Sequence, residues 1–178
     1  MNTILETPRL YIRELMMIDA PAMFDMDSDA AVHLFVGKKP QATIAETIAV
    51  IEYVRQQYID NGIGRWAVIE KTTNQFIGWT GFKLMKETVN GHINFYDFGY
   101  RFTRSKWRQG FAMESAKAAL DYGVQTLGFQ DVFAMTDIDN IASRSLLEKL
   151  GFAFIETFPF DGTPGWRDEG ELATWYKY

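Results

Sequence analysis

The chain has 178 residues and a net charge of −5, with a pI near 5.1. It has no cysteine, which excludes disulfides and thiolate catalysis, and its two histidines, His33 and His92, lack the HxxxH or HExxH spacing of a zinc site. The acidic balance argues against a general nucleic-acid binder and is compatible with a cationic amine substrate. Apolar residues make up 47% and aromatics 15%, enough for one packed domain spanning 1–178. No apolar run approaches the roughly 20 residues of a membrane helix. Met1–Glu6 lacks the basic and apolar segments of a secretory signal, so a cytoplasmic protein without membrane contact is expected.

The elements follow in chain order. Arg9–Leu15 reads as a first strand, with Leu10 and Ile12 alternating against polar neighbours and Pro8 just before it. Asp19 is placed to cap a short helix with Pro21 in its first turn. Thr43 is placed to cap a second, with Ile44, Ile48, Ile51 and Val54 or Tyr58 on one face and Asn61-Gly62 at its end. Trp66–Glu70, Phe76–Leu84 and Ile93–Phe102 form a meander. Gly110–Leu127 carries small residues (Ala112, Ala116, Ala119, Gly123) at helical period, and Gly128 stops it. Asp131–Thr136 is a short buried strand. Asn140 caps a helix to Leu150, with Leu146 and Leu150 inward and Gly151 as terminator. Phe152–Phe158 and Leu172–Tyr178 are strands around a loop at Asp161–Gly165. The order β-αα-βββ-α-β-α-ββ implies at least one parallel pair in an otherwise antiparallel sheet.

The segment Phe102–Ala112 (FTRSKWRQGFA) joins a strand directly to a helix. The first amides of a helix have no partner inside it and carry partial positive charge, so they form an anion site. Gly110 removes a side chain where a diphosphate approaches, and Arg104, Lys106 and Arg108 add charge. The plain alternative is an ordinary helix start with a solvated basic turn. Neither GxxxxGK[ST] nor GxGxxG is present, which leaves coenzyme A as a candidate among diphosphate ligands.

Three segments carry a resemblance: Trp107–Glu114, Asp139–Ser143, and Leu146–Phe152. They resemble the GCN5-related N-acetyltransferases, and with Thr7-Pro8-Arg9-Leu10 and Ile12-Arg13 they are similar to the RimJ/RimL-like branch typified by ribosomal-protein N-terminal acetyltransferases. The resemblance implies a three-layer α+β fold. A mixed, mostly antiparallel central sheet would contain a splayed parallel pair, Tyr96–Phe102 and Val132–Thr136, with helices on both faces. It further implies that acetyl-CoA is the cosubstrate, without a metal. The CoA pyrophosphate would meet backbone at Arg108, Gln109, Gly110, Phe111 and Ala112, and the pantetheine arm would lie along Phe102 and Thr103. Asn140 would contact that arm, although it also reads simply as a helix cap. Trp107 departs from the broad family pattern, and Arg108 stands where the branch often has glycine.

Acetyl transfer to an amine needs a base for the amine, a donor for the developing oxyanion, and help for the leaving thiolate. Asp97 is the candidate base. In a regular strand it shares a face with Ile93 and Phe95, whose apolar surroundings raise a carboxyl's pKa. A structural carboxylate is the alternative. The family's usual tyrosine acid is replaced by Leu147, and Ser143 resembles the serine that takes that role in the branch; it also reads as a second cap. Trp66, Trp79, Trp166 and Trp175 read as core or rim aromatics, and Tyr96 and Tyr100 as packing residues. Glu14, Asp25, Asp27 and Asp29 read as a solvated acidic face that is also able to attract an amine. The expected partners are acetyl-CoA and a primary amine, on a protein N-terminus, a polyamine or another small molecule, bound by a monomer or homodimer. A non-catalytic acyl-CoA sensor is the competing function.

Overall fold

The computed structural model describes residues 3–160 and 170–178; the expected loop at Asp161–Gly165 and Trp166 lie outside them. Eight strands form one sheet: β1 (Thr3–Glu6), β2 (Leu10–Glu14), β3 (Arg65–Glu70), β4 (Gln75–Met85), β5 (Phe95–Phe102), β6 (Val132–Asp137), β7 (Ala153–Pro159) and β8 (Leu172–Lys177), in the order β1-β2-β3-β4-β5-β6-β8-β7. Every neighbouring pair is antiparallel except β5–β6. Between those two lies the helix α4 (Phe111–Asp121), the crossover a parallel pair requires. The expected three-layer α+β architecture is thus present.

The helices are α1 (Ala20–Asp27), α2 (Ala30–His33), α3 (Ile44–Asn61), α4 and α5 (Ile141–Lys149). Alternation along β3 separates two cores. Trp66 joins Phe82, Phe98, Ala116, Ala119 and Leu147 beside α4 and α5, whereas Ala67 and Ile69 join Met23, Met26, Ile51 and Val54 beneath α1 and α3. Gly123 follows α4 in a π-helical turn (Tyr122–Thr126), and a Cβ there would strike the Phe82 ring, so only glycine lets this segment approach the sheet.

Several expectations are corrected. The edge strand β1 and the one-turn α2 carried no signal of their own: four residues are too few to show a period. Asp19 does not cap α1. Its carboxylate accepts two bonds from buried Arg13, at 2.7 and 2.6 Å, and one from the Met16 amide. The Thr43 side chain does not cap α3 either; its hydroxyl faces Glu46. The buried stripe of α3 runs through Thr47, Ile51 and Val54, leaving Ile44 and Ile48 exposed. Ile93 is exposed because Asn94 adopts a left-handed φ of 58°, so β5 begins only at Phe95. In α5 the fully buried leucine is Leu147 rather than Leu146, while Leu150, at the helix end, packs half-buried against the same core as expected. Gly62 and Gly151 do end their helices with φ of 69° and 98°.

Tyr58 ties the α3 layer to the sheet. Its hydroxyl accepts from the Leu15 amide at 3.0 Å and donates to the Arg65 carbonyl. Tyr58→Phe leaves both groups without that partner, at a cost of about 1–3 kcal/mol. A fall of roughly 3–10 °C in the melting midpoint is expected for a domain of this size; calorimetry showing an unchanged midpoint would mean these bonds contribute nothing.

Candidate active site

The Phe102–Ala112 segment forms a short 3₁₀ turn (Arg104–Lys106), an extended Trp107, and then Arg108 and Gly110 with left-handed φ of 59° and 82° before α4. Arg108 at positive φ explains why glycine suits this position elsewhere. Gly110 is the N-cap and brings no side-chain cap, so the first amides of α4 have no acceptor within the helix. Arg108, Gln109 and Gly110 are exposed, whereas Phe111 is buried. Of the basic residues expected to add charge here, Lys106 is already paired: its Nζ lies 2.7 Å from the Glu70 carboxylate and holds that carboxyl below its usual range.

Upstream of this loop the sheet opens. β5 and β6 pair only at Tyr96–Val132 and Asp97–Phe133, although β5 continues to Phe102 and β6 to Asp137. The Tyr96 amide donates to the Asp131 carbonyl on the β6 side. Strand alternation therefore turns the main-chain groups of Phe98, Tyr100 and Phe102 toward the gap. The Phe102 carbonyl is already taken by the Trp107 indole N–H at 2.8 Å. Thr103 faces the other way, its amide donating to the Ile77 carbonyl at 3.0 Å. An extended ligand in the gap would thus find main-chain partners at Phe98 and Tyr100 rather than at Thr103.

The gap opens onto a cleft of about 640 Å³ whose lining includes Asp97, Arg65, Trp79, Arg101, Tyr100, Asn140 and Ser143. Asp97 and Phe95 share a strand face as expected, but Ile93 is outside the strand. Across β4 the register places Lys83 opposite Asp97, Gly81 opposite Gly99, and Trp79 opposite Arg101. Gly99 leaves room for Arg65 of β3 to lie across the sheet. A Cβ on Gly99 would come within 3.1 Å of its guanidinium. Arg65 donates to the Asp97 carboxylate, to the Asp97 carbonyl at 2.7 Å, and to the Gly81 carbonyl. Burial pushes the Asp97 carboxyl up, while Arg65 and then Lys83 pull it part of the way back.

On the far side of the gap, Asn140 Oδ1 accepts from the Ser143 amide at 3.1 Å, as a cap, which leaves its amide hydrogens for another partner. The Tyr100 hydroxyl lies 3.1 Å from both Ser143 Oγ and the Ser143 carbonyl. Burial pushes the Tyr100 phenol well above its usual value, so it stays protonated. Leu147, at the usual tyrosine position, is buried in the core. Tyr100 is thus more than the packing residue expected of it: strand alternation alone does not reveal that its face looks into a gap. Tyr96 does pack, stacked on Phe129 at 3.7 Å between ring centroids.

At the cleft, Trp79 fits the core-or-rim placement expected of it, whereas Asp27 requires a correction. Trp79 lines the cleft, with the guanidinium groups of Arg65 and Arg101 each 5.3 Å from its ring. Asp27 is not on a solvated face. It is 1% exposed, paired with Arg101 at 2.7 Å and 3.7 Å from His33. Burial works to raise its carboxyl, but His33 and Arg101 outweigh it and hold it below the usual range.

Comparison with known proteins agrees with this geometry. The profile described as an acetyltransferase (GNAT) domain matches residues 9–153. The uncharacterized N-acetyltransferase YoaA of Bacillus subtilis (strain 168) is 32% identical over 152 residues, which cover 85% of this chain and 84% of that protein. Among solved structures, RimL, a ribosomal L7/L12 alpha-N-protein acetyltransferase in complex with coenzyme A, superposes with a TM-score of 0.78 at 14% identity, over 99% of this chain and 97% of that one. The spermidine N-acetyltransferase from Vibrio cholerae, in complex with CoA and spermine, gives 0.74 at 15% identity, over 97% and 96%. The chain belongs to the GNAT acetyltransferase family, and is an acetyl-CoA-dependent N-acyltransferase.

Proposed function

We propose that this cleft transfers the acetyl group of acetyl-CoA to a primary amine by direct attack, with no acyl-enzyme. One observation carries the reading: an uncapped helix start sits at the end of two parallel strands that part after two residues and open onto a half-buried carboxylate. The residues fit the donor. The amides at Gly110, Phe111 and Ala112 would hold the diphosphate, with Arg108 and Gln109 shaping the turn. Phe98 and Tyr100 would pair with the arm along β5, and Asn140 would donate to it from the β6 side. The bound thioester supplies the electrophilic carbonyl.

Asp97 accepts the proton that the amine loses as its nitrogen bonds to that carbonyl carbon and the carbon–sulfur bond breaks. Arg65 partly offsets the burial that raises this carboxyl, and positions it by bonding to the carboxylate and the carbonyl of the same residue. Tyr100 and Ser143 form a hydroxyl pair that hydrogen-bonds the leaving sulfur. Because burial keeps the phenol protonated, Tyr100 acts as a donor throughout. The pair replaces the tyrosine that Leu147 displaces.

The acceptor end favours amines with a single positive charge. Among the described residues, Asp97 and one oxygen of Asp27 face arginines, and Glu46 accepts from the Ala42 amide and the Thr43 hydroxyl, so little negative charge is left uncompensated for a second ammonium. A peptide N-terminus or small monoamine therefore suits the cleft better than a polyamine. A thiol-release assay over peptide, monoamine and polyamine acceptors tests both points. Amine-dependent release is expected, strongest without a second ammonium. Binding of acetyl-CoA with no release from any amine would instead support a non-catalytic acyl-CoA sensor.

A further inference from the structure

The opening motif Thr7-Pro8-Arg9-Leu10 has no role in the chemistry above, yet it reaches 100 residues along the chain to the diphosphate loop. Arg9 Nη1 donates to the Gln109 carbonyl at 2.9 Å, and Arg9 Nε donates to Glu114 Oε2 at 2.6 Å. Glu114 Oε1 in turn accepts from the Thr7 hydroxyl at 2.6 Å and from the Arg9 amide at 2.9 Å. The guanidinium sits 4.3 Å from the Phe111 ring centroid, and a Cβ on Gly110 would lie 3.3 Å from Arg9 Nη2. The far end of this strap is rigid: the Arg9 carbonyl accepts from the Lys71 amide, and Leu10 is fully buried in the sheet.

Two consequences follow for the loop. A trans peptide plane points its C=O and N–H in opposite directions. Holding the Gln109 carbonyl against Arg9 therefore turns the Gly110 N–H away from Arg9, toward the open side of the loop. Glu114 suits the helix as an acid in the first turn, but its charge opposes a diphosphate at the same helix end, and Arg9 neutralises it. Exposed ion pairs contribute little to stability on their own. This one joins a charge pair, two main-chain bonds and a ring contact at a single place.

We infer that Arg9, held by Glu114 and Thr7, is a positioning residue that aims the loop amides at the donor's diphosphate. The inference rests on the acetyl-CoA reading above. It is tested by steady-state kinetics with two donors, acetyl-CoA and S-acetylpantetheine, which lacks the diphosphate. Arg9→Ala should raise KM for acetyl-CoA at least tenfold, with kcat within twofold and KM for S-acetylpantetheine unchanged. Arg9→Lys should not rescue it, since one ammonium cannot span both the Gln109 carbonyl and Glu114. Glu114→Ala should show the same donor-selective defect, and the double variant should be no worse than either single one, as expected for one shared strap. A defect equal for both donors, or none for either, would overturn the role of Arg9 while leaving the cleft's function intact. If the unaltered protein itself showed no preference for acetyl-CoA over S-acetylpantetheine, the diphosphate cradle would fall, and this inference with it.

Discussion

Replacing Gly110 with glutamate is expected to abolish measurable acetyl-CoA binding while the chain still folds. The fold should survive because Gly110 is exposed, and among the described residues the only group a Cβ would meet within 4 Å is the end of the Arg9 side chain. The left-handed φ of 82° adds a backbone cost of about 1–2 kcal/mol for a residue with a side chain. The larger effect is electrostatic. A carboxylate roughly 5 Å from a phosphate, at an effective dielectric near 20, repels it by about 3 kcal/mol per pair of charges. Affinity should therefore fall by more than about 100-fold. The new carboxylate would also compete with Glu114 for Arg9. Gly110→Ala separates these causes, since it keeps the backbone cost and the crowding without the charge; it should lose no more than about tenfold. Titration calorimetry with acetyl-CoA decides the matter, and equal affinities for Gly110→Glu and the unaltered protein would remove the cradle.

Asp97→Asn is expected to lower kcat by roughly 10²–10⁴, the range for loss of a general base, with acetyl-CoA affinity kept. The pH dependence follows from the direction of the Asp97 shift. Burial raises this acid above the ordinary carboxylate value, so it stays protonated to a higher pH than a free aspartate. Activity that needs its anion is lost as pH falls through that raised pKa and gained as pH rises through it. In Asp97→Asn the limb due to Asp97 should vanish, leaving only the limb set by the acceptor amine. An unaltered pH–rate profile would exclude Asp97 as the base.

The same substitution should cost stability, because Arg65 loses its carboxylate in a half-buried site. Breaking a fully buried pair costs about 3–5 kcal/mol; the cost is smaller here because both side chains keep 14% exposure and the introduced amide oxygen still accepts a bond. Adding Arg65→Met removes the unpaired charge. The double variant should regain most of the melting temperature and none of the turnover, which separates the chemical role of Asp97 from its structural one.

The strand–turn–helix loop proposed to hold the diphosphate was legible from sequence because everything that builds it is local. A strand, a basic turn, Gly110 and a small-residue helix follow one another within the chain, and an uncapped helix start is an anion site whatever surrounds it. Asn140 as the cap of α5 was legible for the same reason: its acceptor and the Ser143 amide are three residues apart. The parallel pair followed from connectivity, since a strand–helix–strand crossover permits little else. The cleft's charge arrangement was not legible. Arg65 and Asp97 are 32 residues apart and Asp27 and Arg101 are 74 apart, and each pair meets only after the strands take their register. Gly99 shows no role from its place in the strand alone. Only the aligned register shows Gly99 as the floor on which Arg65 lies.

By itself, then, the order of residues determined most of the element types, the one parallel step, the uncapped helix start and the family, because these depend on short-range periodicity, capping and contiguous motifs. Tertiary structure alone decided that Asp97 is tied to Arg65, that Tyr100 rather than Leu147 brings a hydroxyl to Ser143, that Asp27 is buried, and that Arg9 holds the Gln109 carbonyl. Each of those depends on the register of strands distant in sequence. A shift of one residue in register would turn the same side chains to the opposite face of the sheet.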